Sequence, residues 1–456
     1  MSELVIPSAS FDECIHNLCA DYKIHNSLTE EARSNSSIKR GLRNDDGTGV
    51  MVGCTKIGNV LGYHVVDGER EPMEGRLIYR GYELTDLVNA YVREKRFGFT
   101  EVAYLLLFGH LPDQNRYHMF RSLLDESTSL PENFTEDMIL KNPSHDIMNK
   151  LGRSVLALYS NDPNPDDLSV ENMMRQSIEL IARFPVIAAY AYVVKRHYFE
   201  NDSLYLHRPV PELSAAENIL RMIRPDKQYT LEEARVLDLC LVCHAEHGGG
   251  NNSTFSCRCV ASTGTDTYSA IAAAVGSLKG PKHGGANRAV LRQFEEIKNN
   301  VRDWSDEEEV AAYVKRILKG EVSDHTGLVY GMGHAVYTLS DPRAGILKDG
   351  ARKLAEEKGM LNELNLMETV ERVTPVAFAE VTGKEKIMCA NVDMYSGLIY
   401  QMLGIPADLF TPLFAVARVT GWCAHRMEEV LTGGRIYRPA YKPLIRHKDY
   451  VPMSER

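Results

Sequence analysis

DTYSAIAAAVGSLKGPKHGGANRAVLRQFEEIKNNV, residues 266–301, holds two helical signatures and the gap between them. Asp266 is placed to accept the free N–H groups of a first turn, an Ala-rich run from Thr267 to Lys279 follows, and Gly280-Pro281 stops it. After the gap, Ala286, Val290, Phe294 and Ile297 recur at steps of four, four and three, which places them on one face of a second helix over 286–301. The same periodicity predicts helices over 231–246, 306–319 and 409–431. Alternating patterns are few, and hairpin-like material fits only around 51–80. The reading is an all-α protein.

The 456 residues carry 52 Lys and Arg against 62 Asp and Glu, a net charge of −10 that gives no basic footprint for nucleic acid or an anionic membrane surface. The longest unbroken apolar run, Val186 to Val194, is too short to span a bilayer. The first thirty residues contain no Arg and five acids and show no address pattern, and the tail Met453-Ser-Glu-Arg456 is not a peroxisomal signal. Nine cysteines without regular spacing suit reduced thiols in a cytoplasmic setting. The polar, basic segment from Ser34 to Asn44 reads as a linker behind an N-terminal arm.

Several motifs lead nowhere. Cys240-Leu-Val-Cys243-His244 spells a c-type haem attachment signature, but inside an apolar helical run these read as buried structural thiols. Cys240, Cys243, His244 and His247 share one helix face, yet side chains strung along about 10 Å of helix cannot converge on one zinc ion. Gly383-Lys384 lacks the Ser or Thr of a phosphate loop, and Gly331-Met-Gly333 lacks the third glycine of a dinucleotide fingerprint.

Glycines gather instead beside histidines. His247 precedes Gly248-Gly249-Gly250-Asn251, His283 lies before Gly284-Gly285, His334 follows Gly331-Met-Gly333, and Asp393 sits in Ala390-Asn-Val-Asp-Met-Tyr-Ser-Gly397. Together these point to a site. His283, in the gap before a helix N-terminus, is expected to stay neutral and to donate an N–H to a developing enolate oxygen. Asp393, between Val392 and Met394, suits a base for a carbon acid. Arg343, Arg418 and Arg438 suit the two carboxylates of a small dianion, Arg418 from within an apolar helix.

These residues carry a resemblance. His244-Ala-Glu-His-Gly-Gly-Gly-Asn251, Gly280-Pro-Lys-His-Gly-Gly-Ala-Asn287, Gly331-Met-Gly-His-Ala-Val336 with Asp341-Pro-Arg343, Asn391-Val-Asp393 and Arg438-Pro439 resemble, in order and spacing, the motifs of the bacterial-type citrate synthase family. The resemblance covers roughly residues 41–441. It implies condensation of acetyl-CoA with oxaloacetate to citrate and CoA, with propionyl-CoA and 2-methylcitrate as the alternative. By it, Asp393 is the base, His283 the donor to the thioester enolate, and His334 the group that polarises the oxaloacetate ketone. His247, Arg343 and Arg418 bind oxaloacetate, and Arg438 reaches in from the partner subunit of a homodimer. No metal or redox cofactor is implied.

The implied fold is a large helical domain, 41–283 and 403–456, with a smaller helical domain inserted at 284–402 behind an arm of residues 1–40. One departure concerns CoA. Family members often place Arg or Lys four residues after the polarising histidine, whereas this chain has Thr338, so Arg43 or Lys282 is the expected substitute. The first 40 residues do not resemble the small β-rich domain of some hexameric relatives, which gives no support to NADH regulation of that type.

Overall fold

Side-chain caps start the helices close to where the sequence puts them. Asp266 accepts from the Ser269 N–H, Asp306 from Glu308 and Glu309, and Thr230 and Glu233 form a reciprocal capping box. This is a computed structural model describing residues 11–26, 38–66, 69–445 and 447–455. Residues 1–10 and 27–37, which include the first four residues of the expected linker and about half of the expected arm, lie outside the described residues. The chain divides into two units, Met1–Cys54 with Arg438–Arg456, and Thr55–Tyr437. The first contains helix α1 (Phe11–Asn26), a short 3-10 turn at Arg40–Leu42 and a C-terminal tail with a 3-10 turn at Met453–Glu455.

The second unit opens with an antiparallel sheet in the order β1 (Gly58–Val66), β2 (Glu69–Tyr79), β3 (Tyr82–Glu83). Fifteen helices follow among the described residues: α2 (Leu84–Glu94), α3 (Phe99–Phe108), α4 (Gln114–Ser127), α5 (Ile147–Leu158), α6 (Val170–Glu200), α7 (Ala215–Ile223), α8 (Leu231–His244), α9 (Asn252–Ala261), α10 (Thr267–Lys279), α11 (Ala286–Asn300), α12 (Glu307–Leu318), α13 (Pro342–Lys358), α14 (Leu361–Thr382), α15 (Val392–Met402) and α16 (Phe410–Leu431). The expected all-α class is what the chain adopts.

Two packing groups position the site. Helices α5, α6, α9, α10 and α16 pack on one another, and α11 to α15 form a second group, with α8 packed against α13, α15 and α16. Helix α16 is buried almost all round from Phe410 to Met427, the pattern of a core helix. Helix α6 is long and apolar enough to cross a membrane, but 89% of its most apolar stretch is buried inside the protein. Cys240 and Cys243 lie in the core, where burial pushes both thiols well up and makes them inert.

One helix stops short of its pattern. The periodicity runs to Glu246, yet α8 ends at His244. The Tyr79 hydroxyl, reaching in from β2, donates to the carbonyls of Val242 and Glu246 at 3.0 and 3.1 Å, and Gly248 takes φ +78°. The chain turns here, which lifts His247 off the helix.

Candidate active site

Arg418 is a charged residue set in the core. It sits mid-way along α16 at 0% exposure, its Nε donates to the His244 carbonyl at 2.6 Å, and both Nη1 and Nη2 are buried without a partner. Burial lowers its pKa to about 10, against which the nearby Glu246 carboxylate pulls it up. A buried fork with two nitrogens unmatched is a place for an anion.

The other groups gather around it. His247, from the turn after α8, is buried with Nε2 unpartnered, and its ring lies 5.2 Å from that of His334 in an edge-on arrangement. Tyr337 packs on both rings, 4.6 Å from His334 and 5.6 Å from His247, and its hydroxyl is also unpartnered. Arg343 lies over the Tyr337 ring, 5.6 Å from its centre.

Local backbone decides the histidine tautomers. The N–H groups of Val336 and Tyr337 donate to His334 Nδ1 at 3.0 and 3.1 Å, so its ring proton is on Nε2. His283 Nε2 lies 3.0 Å from Ser253 Oγ and 3.1 Å from Asn251 Oδ1, and the Trp422 indole donates to that same Ser253 oxygen at 3.1 Å. His283 has its pKa lowered to about 4, by burial first and by Arg418 second. The sequence predicts a neutral imidazole for a different reason, the helix dipole; desolvation is what sets it here. His247 is pushed well below its usual value by burial and then by Arg343.

Asp393 is the second residue of α15, half-buried, and burial raises its pKa to about 6 against the pull of Arg343 and Arg418. Asn391 caps that helix by accepting the Asp393 N–H at 3.0 Å, and its Nδ2 donates to the Gly333 carbonyl at 2.9 Å. Gly333 N–H donates to the Cys389 carbonyl and Asn391 N–H to that of Gly331, at 2.7 and 2.8 Å. The loop bearing His334 and the start of the Asp393 helix are thus one hydrogen-bonded piece.

Other predicted residues land differently. Arg343 is buried, but its Nε and Nη2 already pair with Asp341 at 3.0 and 2.7 Å. Lys282 is exposed next to His283. Arg43, whose Nη1 donates to the Gly47 carbonyl at 3.3 Å, and the exposed Arg438 belong to the first unit.

Sequence reasoning missed the supports. Asn251 and Ser253 hold His283, Asp341 holds Arg343, and Glu246 anchors a buried chain in which His425 Nε2 donates to Glu246 Oε1 at 2.9 Å and Arg258 donates to His425 Nδ1 at 2.8 Å. Arg258 in turn pairs with Glu428 and Glu429. The visible signal was an ionisable residue inside an apolar run, as at Glu246, Arg258 and His425.

Fold and site together define a helical enzyme whose core joins a raised carboxylate, neutral histidines and an unmatched buried arginine. The family model described as "Citrate synthase, C-terminal domain" matches residues 46–440. A citrate synthase from Synechocystis sp. is 37% identical over 84% of this chain and 89% of its own length, and a 2-methylcitrate synthase from Shewanella oneidensis is 31% identical over 83% and 90%. Among solved structures, citrate synthase from Thermoplasma acidophilum, in a ternary complex with carboxymethyl coenzyme A and oxaloacetate, aligns with TM-score 0.74 at 27% identity over 92% of this chain and 99% of its own. The chain belongs to the citrate synthase family. It is an enzyme with citrate synthase activity, an acyltransferase.

Proposed function

We propose that this activity joins acetyl-CoA to oxaloacetate, with water, to give citrate and CoA through an enolate handled by the side chains described above. Asp393 takes a proton from the thioester methyl group. Its pKa of about 6 leaves it ionised at neutral pH and a stronger base than an ordinary aspartate. His283 donates to the enolate oxygen as charge develops there. That role requires the proton on Nδ1, with Nε2 turned towards Ser253 Oγ, an oxygen that also accepts from Trp422. The enolate carbon attacks the oxaloacetate ketone, whose oxygen takes a hydrogen bond from His334 Nε2–H. Water then cleaves the thioester of the condensed product, releasing CoA.

The observation that carries this reading is Arg418, a buried fork with two unpartnered nitrogens beside an unpartnered His247 Nε2. A dicarboxylate supplies the acceptors that both lack. Arg343, held by Asp341, contributes its remaining nitrogen, and Arg438 is assigned to a partner protomer's site in a homodimer. Residues 284–402 are assigned to a smaller lobe that closes on substrate and excludes water. CoA phosphates are assigned to Arg43 or Lys282. No metal or other cofactor enters these steps. A reducing, cytoplasmic setting accords with nine unbridged cysteines.

Propionyl-CoA is the second reading, favoured by the 2-methylcitrate synthase relative. One methylene is worth about 1 to 3 kcal/mol, too little to exclude by inspection. Thiol release measured with acetyl-CoA and propionyl-CoA, each with and without oxaloacetate, decides. We expect a higher kcat/KM for acetyl-CoA and no release without oxaloacetate; a preference for propionyl-CoA would overturn the assignment.

A further inference from the structure

The β1–β2 hairpin presents one face to the site. Alternation puts Gly58, Val60 and Gly62 of β1 and Gly75, Leu77 and Tyr79 of β2 on that side, while Glu74 and Arg76 face solvent. The register pairs Leu61 with Arg76 but Tyr63 with Pro72, so β2 bulges opposite Gly62.

A bulge leaves ladder carbonyls unpaired, and one side chain takes them up here. The Thr338 hydroxyl donates to the carbonyls of Gly62 and Met73, on the two sides of the irregularity. Next to it, Gly75 N–H donates to Ser340 Oγ at 3.0 Å, and the Ser340 hydroxyl pairs with the Glu74 carboxylate. Backbones meet without side chains between them: a Cβ on Gly62 would lie 2.5 Å from Tyr337 Cα and from the Val336 carbonyl oxygen. Residues 336 and 337 are the two whose N–H groups fix the tautomer of His334. The same face also backs the His247 turn, with Val60 against Gly248 and Gly58 against Glu246.

We propose that the hairpin bulge is a positioning element for catalysis, in which Thr338 and the close approach at Gly62 hold the 336–340 loop so that His334 presents its Nε2–H to the electrophile. Position 338 then acts on the oxaloacetate side of the reaction and not on CoA. The kinetic part rests on the role given to His334 above.

Two readouts separate the proposal from that role. In protein carrying 15N-histidine, with the His334 signals identified by their loss in His334→Gln, the wild type shows a bare Nδ1 and a protonated Nε2. Thr338→Val, which removes only the hydroxyl, mixes the tautomers, lowers kcat/KM for oxaloacetate about tenfold or more, and leaves KM for acetyl-CoA within about twofold. Thr338→Ser restores both. Gly62→Ala gives the same pattern and decides the matter should Thr338→Val not fold. Unchanged His334 signals in these variants, or a loss that falls on KM for acetyl-CoA, overturn the proposal. Shifted signals with unchanged kcat/KM for oxaloacetate leave the anchoring intact and overturn the role of His334.

Discussion

Asp393 is held where its charge is unwelcome, and that has a measurable sign. Burial raises its pKa from 3.8 to about 6, so the folded state binds its proton more tightly than the unfolded state does. Below pH 3.8 both states are protonated and nothing is lost; as pH rises towards 6 the penalty grows, and above 6 it is complete. Asp393→Asn should therefore raise the thermal midpoint at pH 8, by an amount equivalent to about 3 kcal/mol, with the difference nearly gone by pH 4. Arg418 makes a parallel case. Arg418→Met removes a buried, unmatched guanidinium and should keep or raise the thermal midpoint while raising KM for oxaloacetate at least a hundredfold, since the proposed binding role would lose two charged hydrogen bonds. Calorimetry and steady-state kinetics on one preparation check both halves; a lower midpoint with an unchanged KM would make Arg418 a structural residue.

At the scale of elements, the start of α15 and the loop before α13 behave as one part, and Asn391 ties them. Asn391→Ala should cost about 1 kcal/mol of stability through the lost cap. Asn391→Ser keeps an N-cap but loses the Nδ2 bond to Gly333, so it should recover the stability and still lose about tenfold or more in kcat. Equal turnover in Asn391→Ser and wild type would show that the cap alone matters. Elements of this kind were only half legible. Asp266, Asp306 and the Gly280-Pro281 stop are local signals and gave helices α10 and α12 to within a residue. The end of α8 was not, because Tyr79 from 165 residues earlier in the chain turns it, a contact that periodicity does not carry. Likewise His283 was legible as a neutral imidazole, but Ser253 and Asn251, which hold it, are visible only once α9 and α10 pack.

The whole molecule shows why the candidate catalytic residues stand out in the sequence and their supports do not. Histidines beside glycines and an aspartate between apolar residues stand out in a linear sequence; partners such as Asp341 and Glu246 look like ordinary acids until burial makes them matter. Assembly adds one more test. If Arg438 completes a partner's site, mixed dimers of an Arg438→Leu chain and an Asp393→Asn chain should regain activity in one of their two sites, whereas dimers as inactive as either parent would place Arg438 within its own subunit or outside the reaction. The central claim is that Asp393 removes the methyl proton. It is tested most directly by Asp393→Asn, measuring thiol release from acetyl-CoA and, on the same protein, oxaloacetate binding by calorimetry. The account predicts a fall in turnover of about a thousandfold with oxaloacetate affinity unchanged within about threefold; turnover near that of the wild type would contradict it.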